Sequence, residues 1–211
     1  MSLSELQIRV ATLVLTLPEA AEFALAGGAA LIVHDVTDRA TRDLDCFGPT
    51  PDAVDRLCAS VMQACSEADL RVAVDQSGPG FARLHITNEG DVTLLDLGYD
   101  PAFSPPVVTA IGAVRALDDL AGDKLLALVS RAAPRDFVDV AELLNRFSRS
   151  ELEARAASKD RGFDRHVLAD AFGVLPTIRR DRFEIDDPSY DQLLTMLATW
   201  RERFGQNGPA R

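Results

Sequence analysis

The sequence predicts an α+β protein, in which a mixed α/β half is followed by an all-helical half. Three observations carry this. Short apolar runs separated by glycine and proline turns occupy residues 23 to 98. Helical periodicity takes over from about residue 117. Between them, the loop at 99 to 106 holds Pro101, Pro105 and Pro106, and is expected to end the sheet region. The expected domains are therefore a core over residues 1–110 and a helical domain over residues 111–211.

Residues 4 to 16 read as a helix with Leu6, Val10 and Leu13 among its apolar positions, ending near Pro18. A short strand, Phe23 to Ala26, runs into the pair Gly27-Gly28 and a short apolar helix, and a second strand carries Asp43-x-Asp45. Pro49-Thr50-Pro51-Asp52 makes a turn and caps a helix running to about residue 68, with Val54, Leu57, Val61 and Cys65 on one stripe. Three strands follow at 71 to 75, 81 to 87 and 92 to 98. Gly78-Pro79-Gly80 and Asn88-Glu89-Gly90-Asp91 supply the turns between them. Pro134 separates a helix beginning near Leu117 from the next, as proline suits a first helical turn. Further helices are expected at 149 to 159, 164 to 173 and 188 to 204, the last packing through Leu193, Leu194, Leu197, Trp200 and Phe204.

Composition bounds the function. At 211 residues, with 47% apolar and 26% charged content, the chain has the makings of an ordinary globular protein with one sizeable core. No apolar run approaches the length of a membrane span and no leader-like segment opens the chain, which points to the cytoplasm and away from membranes. Cys46, Cys58 and Cys65 have no metal-ligand spacing, and Cys58 and Cys65 suit a helix core face. A net charge of −11 argues against broad, non-specific nucleic-acid binding. The arginines of the C-terminal third, Arg149 and Arg165 among them, are mixed with acids and read as a solvated, ion-paired helical surface. His34, His85 and His166 form no cluster by spacing, and His34 and His85 read as structural.

The chemistry concentrates in two places. Alternate residues of a strand face the same way, so Asp43 and Asp45 share one side of the sheet. Two carboxylates so placed repel each other and suit a divalent cation, and hard oxygen donors completed by phosphate oxygens suit Mg²⁺. The glycine pair lies where strand gives way to helix and has no Cβ to obstruct a phosphate. A phosphate cradle followed by a metal pair is equipment for handling a nucleoside triphosphate. Asp96, set among apolar strand residues, is the natural third carboxylate, with Asp100 the weaker substitute. The second place is helical. Lys124 and Arg131 share a face with Leu128, and Arg135, Asp136 and Asp139 follow the Pro134 break. Asp136 in the first helical turn is explained by the helix dipole alone, which explains Asp139, a turn deeper, less well.

These residues resemble the AbiEii/AbiGii-type nucleotidyltransferase toxins, MenT-like proteins included, of the polymerase-β-like superfamily. The match lies in Gly27-Gly28-x-Ala30-Leu31, Arg39-x-Thr41-x-Asp43-x-Asp45, Lys124-Leu125 with Arg131, and Arg135-Asp136-x-x-Asp139, in that order. The resemblance implies a polymerase-β-like core with a small mixed sheet and a helical domain that completes the active site. It implies that Asp43 and Asp45 hold Mg²⁺ and that Gly27, Gly28 and Thr41 contact the nucleotide phosphates. Lys124 would bind the triphosphate, Asp139 would be needed for activity, and Arg39 would support the metal loop or meet phosphate. Many superfamily members carry Gly-Ser where this chain has Gly27-Gly28.

The implied reaction is transfer of a nucleoside monophosphate from an NTP to an acceptor hydroxyl, with a tRNA 3′ end as acceptor. Such a toxin would be accompanied by a cognate antitoxin. The alternatives are transfer to a protein or small molecule, and a non-catalytic nucleotide-binding module.

Overall fold

The computed structural model describes residues 3–206, with side chains to residue 201. Its chain forms two compact units, one up to Leu120 and one from Ala121 onward.

The first unit opens with α1 (Glu5–Leu15). Ser4 caps it by accepting from the Gln7 amide at 3.1 Å, while the Gln7 side chain accepts from the Ser4 amide at 2.9 Å. A one-turn 3₁₀ helix at Pro18–Ala20 leads to β1 (Ala24–Ala26), α2 (Gly27–Val33), β2 (Asp43–Gly48) and α3 (Pro51–Glu67). Thr50 caps α3 through the Ala53 amide, as its sequence indicates. Three longer strands follow: β3 (Arg71–Gly78), β4 (Phe81–Asn88) and β5 (Asp91–Tyr99).

The chain then returns to the sheet. Contrary to expectation, the proline-rich loop does not end it: β6 (Val107–Thr109) and β7 (Gly112–Val114) complete a seven-stranded sheet of order β3-β4-β5-β2-β1-β7-β6. Three residues each are too few for a strand period to show, and β7 is placed by a single parallel pairing, Leu25 with Val114.

Register decides what each face of the sheet carries. Leu44 of β2 pairs with Leu95 of β5, which pairs with Leu84 of β4, and all three are buried. Cys46, Leu97 and Ala82 form the next row of that face. Helix α3 packs across β2, β4 and β5 with Val54, Leu57 and Val61 buried, so this is the core side. The opposite face carries Asp45, Asp96 and Arg83 in one row, and Asp43, Leu94 and His85 in the next.

The second unit is helical. After α4 (Leu117–Arg131), whose first turn contains the boundary, come α5 (Pro134–Leu143), α6 (Arg149–Lys159), α7 (Arg165–Val174) and α8 (Asp187–Gln206). Leu125, Leu128, Phe137, Leu152, Leu168 and Trp200 are buried in it. The Phe172 and Trp200 rings pack at 5.3 Å. A Cβ on Gly122 would come within 3.1 Å of the Arg155 carbonyl oxygen, so α4 and α6 approach closely there. Of the last helix's expected apolar face, Leu193, Leu197 and Trp200 are buried, and the side chain of Phe204 lies outside the described residues. No helix among the described residues is long and apolar enough to cross a membrane.

Candidate active site

In the first unit the site is assembled from three short pieces that sheet register brings together. The β1–α2 junction supplies Gly27 at φ +62°, a conformation open to glycine and strained for other residues. Ala26 pairs with Asp45 across β1 and β2, and a Cβ built on Gly27 would lie 1.7 Å from Asp45 Oδ2. The Asp45 carboxylate therefore occupies the space that any other residue at position 27 would fill. Position 28 meets the loop before β2: a Cβ there would be 2.9 Å from Arg39 Nη2 and 3.1 Å from Thr41 Oγ1. No side chain caps the start of α2.

Thr41 links loop to strand. Its hydroxyl donates to Asp43 Oδ1 at 2.8 Å, and its carbonyl accepts from Gln7 Nε2 at 2.9 Å. Gln7, buried in α1 and half of its capping box, thereby anchors the segment bearing Arg39 and Thr41. The Arg39 guanidinium also bonds the Ala40 carbonyl at 3.1 Å. Asp43 and Asp45 are half-buried while Leu44 and Cys46 are fully buried, so both acids lie on the face away from α3. Burial raises the Cys46 thiol far above its ordinary range, with the Asp45 charge adding to the effect.

Asp96 lies beside Asp45 through the β2–β5 pairing. Its carboxylate, 6% exposed, is engaged by Arg83 from the neighbouring strand: Nε donates to Oδ1 at 2.7 Å and Nη2 to Oδ2 at 2.5 Å. Arg83 is held firmly protonated, first by that hydrogen bonding and then by the charges of Asp96, Asp43 and Asp75. The sequence reading missed Arg83. The substitute carboxylate, Asp100, is bonded by the buried Arg115, whose amide also pairs with the Leu25 carbonyl at 2.8 Å. Asp119, another residue not singled out from sequence, accepts from the Phe103 and Ser104 amides and fixes the proline-rich loop.

Among the described residues, no group of three or more carboxylate, histidine or cysteine side chains forms a ready metal cage. The donor set nonetheless fits a divalent ion bound together with substrate: two carboxylates on one face supply hard oxygens and leave positions for phosphate oxygens.

The second unit brings together the helical cluster. Lys124 Nζ of α4 lies 2.9 Å from Asp139 Oδ2 of α5, with Asp139 fully buried and the lysine side chain 9% exposed. Arg131 grips Asp136 with Nε on Oδ2 at 2.8 Å and Nη2 on Oδ1 at 2.7 Å. Asp136 also accepts from the Ala133 amide at 3.2 Å. Its burial thus serves a fork and a helix start together, beyond the dipole preference expected of it. Of the remaining residues, His34 bonds the Arg115 carbonyl at 2.9 Å and is structural. Lys159 of α6 pairs with Asp123 of α4.

Comparison with known proteins places the chain in a family. The model of the family described as nucleotidyl transferase AbiEii toxin, type IV toxin–antitoxin system, matches residues 13–206. No curated protein matches the chain. Among solved structures, JHP933 from Helicobacter pylori superposes with a TM-score of 0.59 at 18% identity, covering 97% of this chain and 96% of that one. MenT4, a nucleotidyltransferase toxin from Mycobacterium tuberculosis H37Rv, superposes with a TM-score of 0.57 at 14% identity, covering 93% and 92%. At such identities the superpositions show a shared α+β fold, and the family match identifies the chain: it belongs to the AbiEii nucleotidyl transferase toxin family of type IV toxin–antitoxin systems.

Proposed function

We propose that this protein transfers a nucleoside monophosphate from an NTP to the hydroxyl of an RNA acceptor, a tRNA 3′ end, with Mg²⁺ held by Asp43 and Asp45. Family membership gives an NTP-dependent nucleotidyltransferase and a toxin with a cognate antitoxin. The observation that carries the finer reading is convergence. Gly27 and Gly28 come from one stretch and Arg39, Thr41, Asp43 and Asp45 from another, yet each glycine meets a side chain of the second stretch.

Each residue has a part that its contacts support. Gly27 and Gly28 leave backbone amides at the start of α2 open to phosphate oxygens. Thr41 orients Asp43, and Gly27 gives Asp45 its place. Arg39, against Gly28, brings a planar donor fork to the triphosphate. Asp96 is the third carboxylate of the same face, and each of its oxygens keeps a second lone pair beyond the Arg83 fork. A bound Mg²⁺ supplies charge neutralisation at the phosphates and at the departing pyrophosphate.

In the reaction, the acceptor hydroxyl gives up its proton to solvent as its oxygen bonds to the α-phosphorus, the bond from α-phosphorus to the β-bridging oxygen breaks, and pyrophosphate leaves. Lys124 meets the triphosphate charge, and Asp139 sets that lysine's position through their 2.9 Å contact. The test is partition of label. With purified protein, Mg²⁺, α-labelled NTPs and total tRNA, label is expected in RNA. Label in protein or small molecules instead would replace the acceptor assigned here.

A further inference from the structure

A cavity of about 720 Å³ opens within the helical unit between the start of α6, the start of α7 and the middle of α8. Its wall includes Arg149, Glu153, Arg165, His166 and Trp200. Sequence alone makes these arginines part of a solvated, ion-paired surface, but their bonding is more specific than that.

Glu153, 7% exposed, accepts from Trp200 Nε1 at 2.9 Å on one oxygen and from Arg165 Nε at 2.5 Å on the other. Arg165 commits only Nε. Its side chain stays 62% exposed, and neither Nη group has a protein partner among the described residues. A buried acid thus holds a guanidinium by its inner edge and presents the outer edge, with its parallel donors, at a cavity. That is the geometry for a phosphate or carboxylate. The exposed His166 side chain stands next to it, and Arg149 adds a second cation while bonding the Met196 and Thr199 carbonyls at 3.3 Å. The backbone at the start of α7 is not the attraction, because Asp164 already caps it through the His166 amide. The cations outnumber the one acid of the wall, on a chain whose net charge is −11.

We propose that this cleft seats a phosphodiester of the acceptor RNA, with Arg165 as the principal contact and Glu153 as the residue that aims it. The inference rests on the RNA-acceptor reading above. A cationic cleft on an acidic protein suits this use, since it holds the backbone locally while the protein's net negative charge discourages indiscriminate binding.

The chain reports on the site itself, because Trp200 is its sole tryptophan and shares Glu153 with Arg165. Total tRNA titrated into wild-type protein is expected to change Trp200 emission saturably. In Arg165→Ala the midpoint is expected to move about tenfold to weaker binding, with a salt slope shallower by roughly one. KM for tRNA is expected to rise correspondingly while KM for NTP stays unchanged. If Arg165→Ala loses its fold, Arg165→Lys carries the test, since it keeps a charge beside Glu153 and removes the fork. Unchanged affinity and salt slope in a folded Arg165 variant would overturn the inference, as would wild-type emission that tRNA leaves unaltered. The two readings fail separately. Equal RNA labelling by wild type and Arg165→Ala removes the cleft and keeps the acceptor. Arg165-dependent tRNA binding without labelling keeps the cleft and removes the acceptor.

Discussion

Gly27 and Asp45 occupy one another's space: a Cβ on the glycine would stand 1.7 Å from the aspartate's Oδ2. With φ at +62°, position 27 is restricted both by backbone conformation and by a neighbour that belongs to the candidate metal site. Gly27→Ala is therefore expected to displace Asp45 and to lower transfer by about two powers of ten, the scale of losing a key electrostatic stabiliser. The left-handed conformation adds a stability loss of about 1–2 kcal/mol. Gly28→Ala meets instead the end of the flexible Arg39 side chain and should be milder. Transfer rates and thermal unfolding of both variants check this, and equal effects would contradict it.

The Lys124–Asp139 pair separates stability from chemistry. Asp139 is fully buried, so Asp139→Ala leaves a nearly buried ammonium without its counterion and should destabilise by about 3–5 kcal/mol. Lys124→Met with Asp139→Leu removes both charges and should recover much of that stability, as apolar replacement of a buried pair often does. Transfer should not recover, because Lys124 is assigned to the triphosphate. Urea unfolding alongside the transfer assay distinguishes the two. Recovered activity in the double variant would make the pair structural only.

Arg83 and Asp96 make a second such comparison. Arg83→Ala strips a fork from a carboxylate only 6% exposed, and about 1–3 kcal/mol of stability should go with it. If Asp96 serves as the third carboxylate, Asp96→Asn should reduce transfer more than Arg83→Ala does. The reverse order would make Arg83 the functional member of the pair.

The cysteines give a pH prediction. Burial raises Cys46 most, and raises Cys58 and Cys65 as well. A thiol whose folded value lies above its unfolded one contributes stability that is complete below the unfolded value and is lost as pH rises past it. Stability should therefore fall as pH climbs through the ordinary thiol value of 9.0. In the native protein at pH 8, a thiol reagent should leave Cys46 unmodified until denaturant is added. Early labelling of Cys46, read by peptide mass, would contradict its burial.

What the sequence made legible follows from period and punctuation. Asp43 and Asp45 share a face because a strand repeats every second residue, and the buried Leu44 and Cys46 between them agree. Helix starts were marked by Thr50 and Pro134. Arg83 was missed although a signal existed. The turn Asn88-Glu89-Gly90-Asp91 pairs Asn88 with Asp91, and counting back five residues along each strand sets Arg83 opposite Asp96. Strands β6 and β7 gave no such signal, being three residues each. Asp119 was hidden for another reason: its partners are loop amides, and any sequence supplies those.

The metal pair is the centre of this account, so its most direct test is transfer of α-labelled nucleotide to tRNA by wild type and Asp43→Asn, each with and without Mg²⁺. Mg²⁺-dependent labelling by wild type is expected, reduced by two or more powers of ten in a folded Asp43→Asn variant. Labelling by Asp43→Asn at a rate close to wild type would contradict the assignment of Asp43 and Asp45 to the metal.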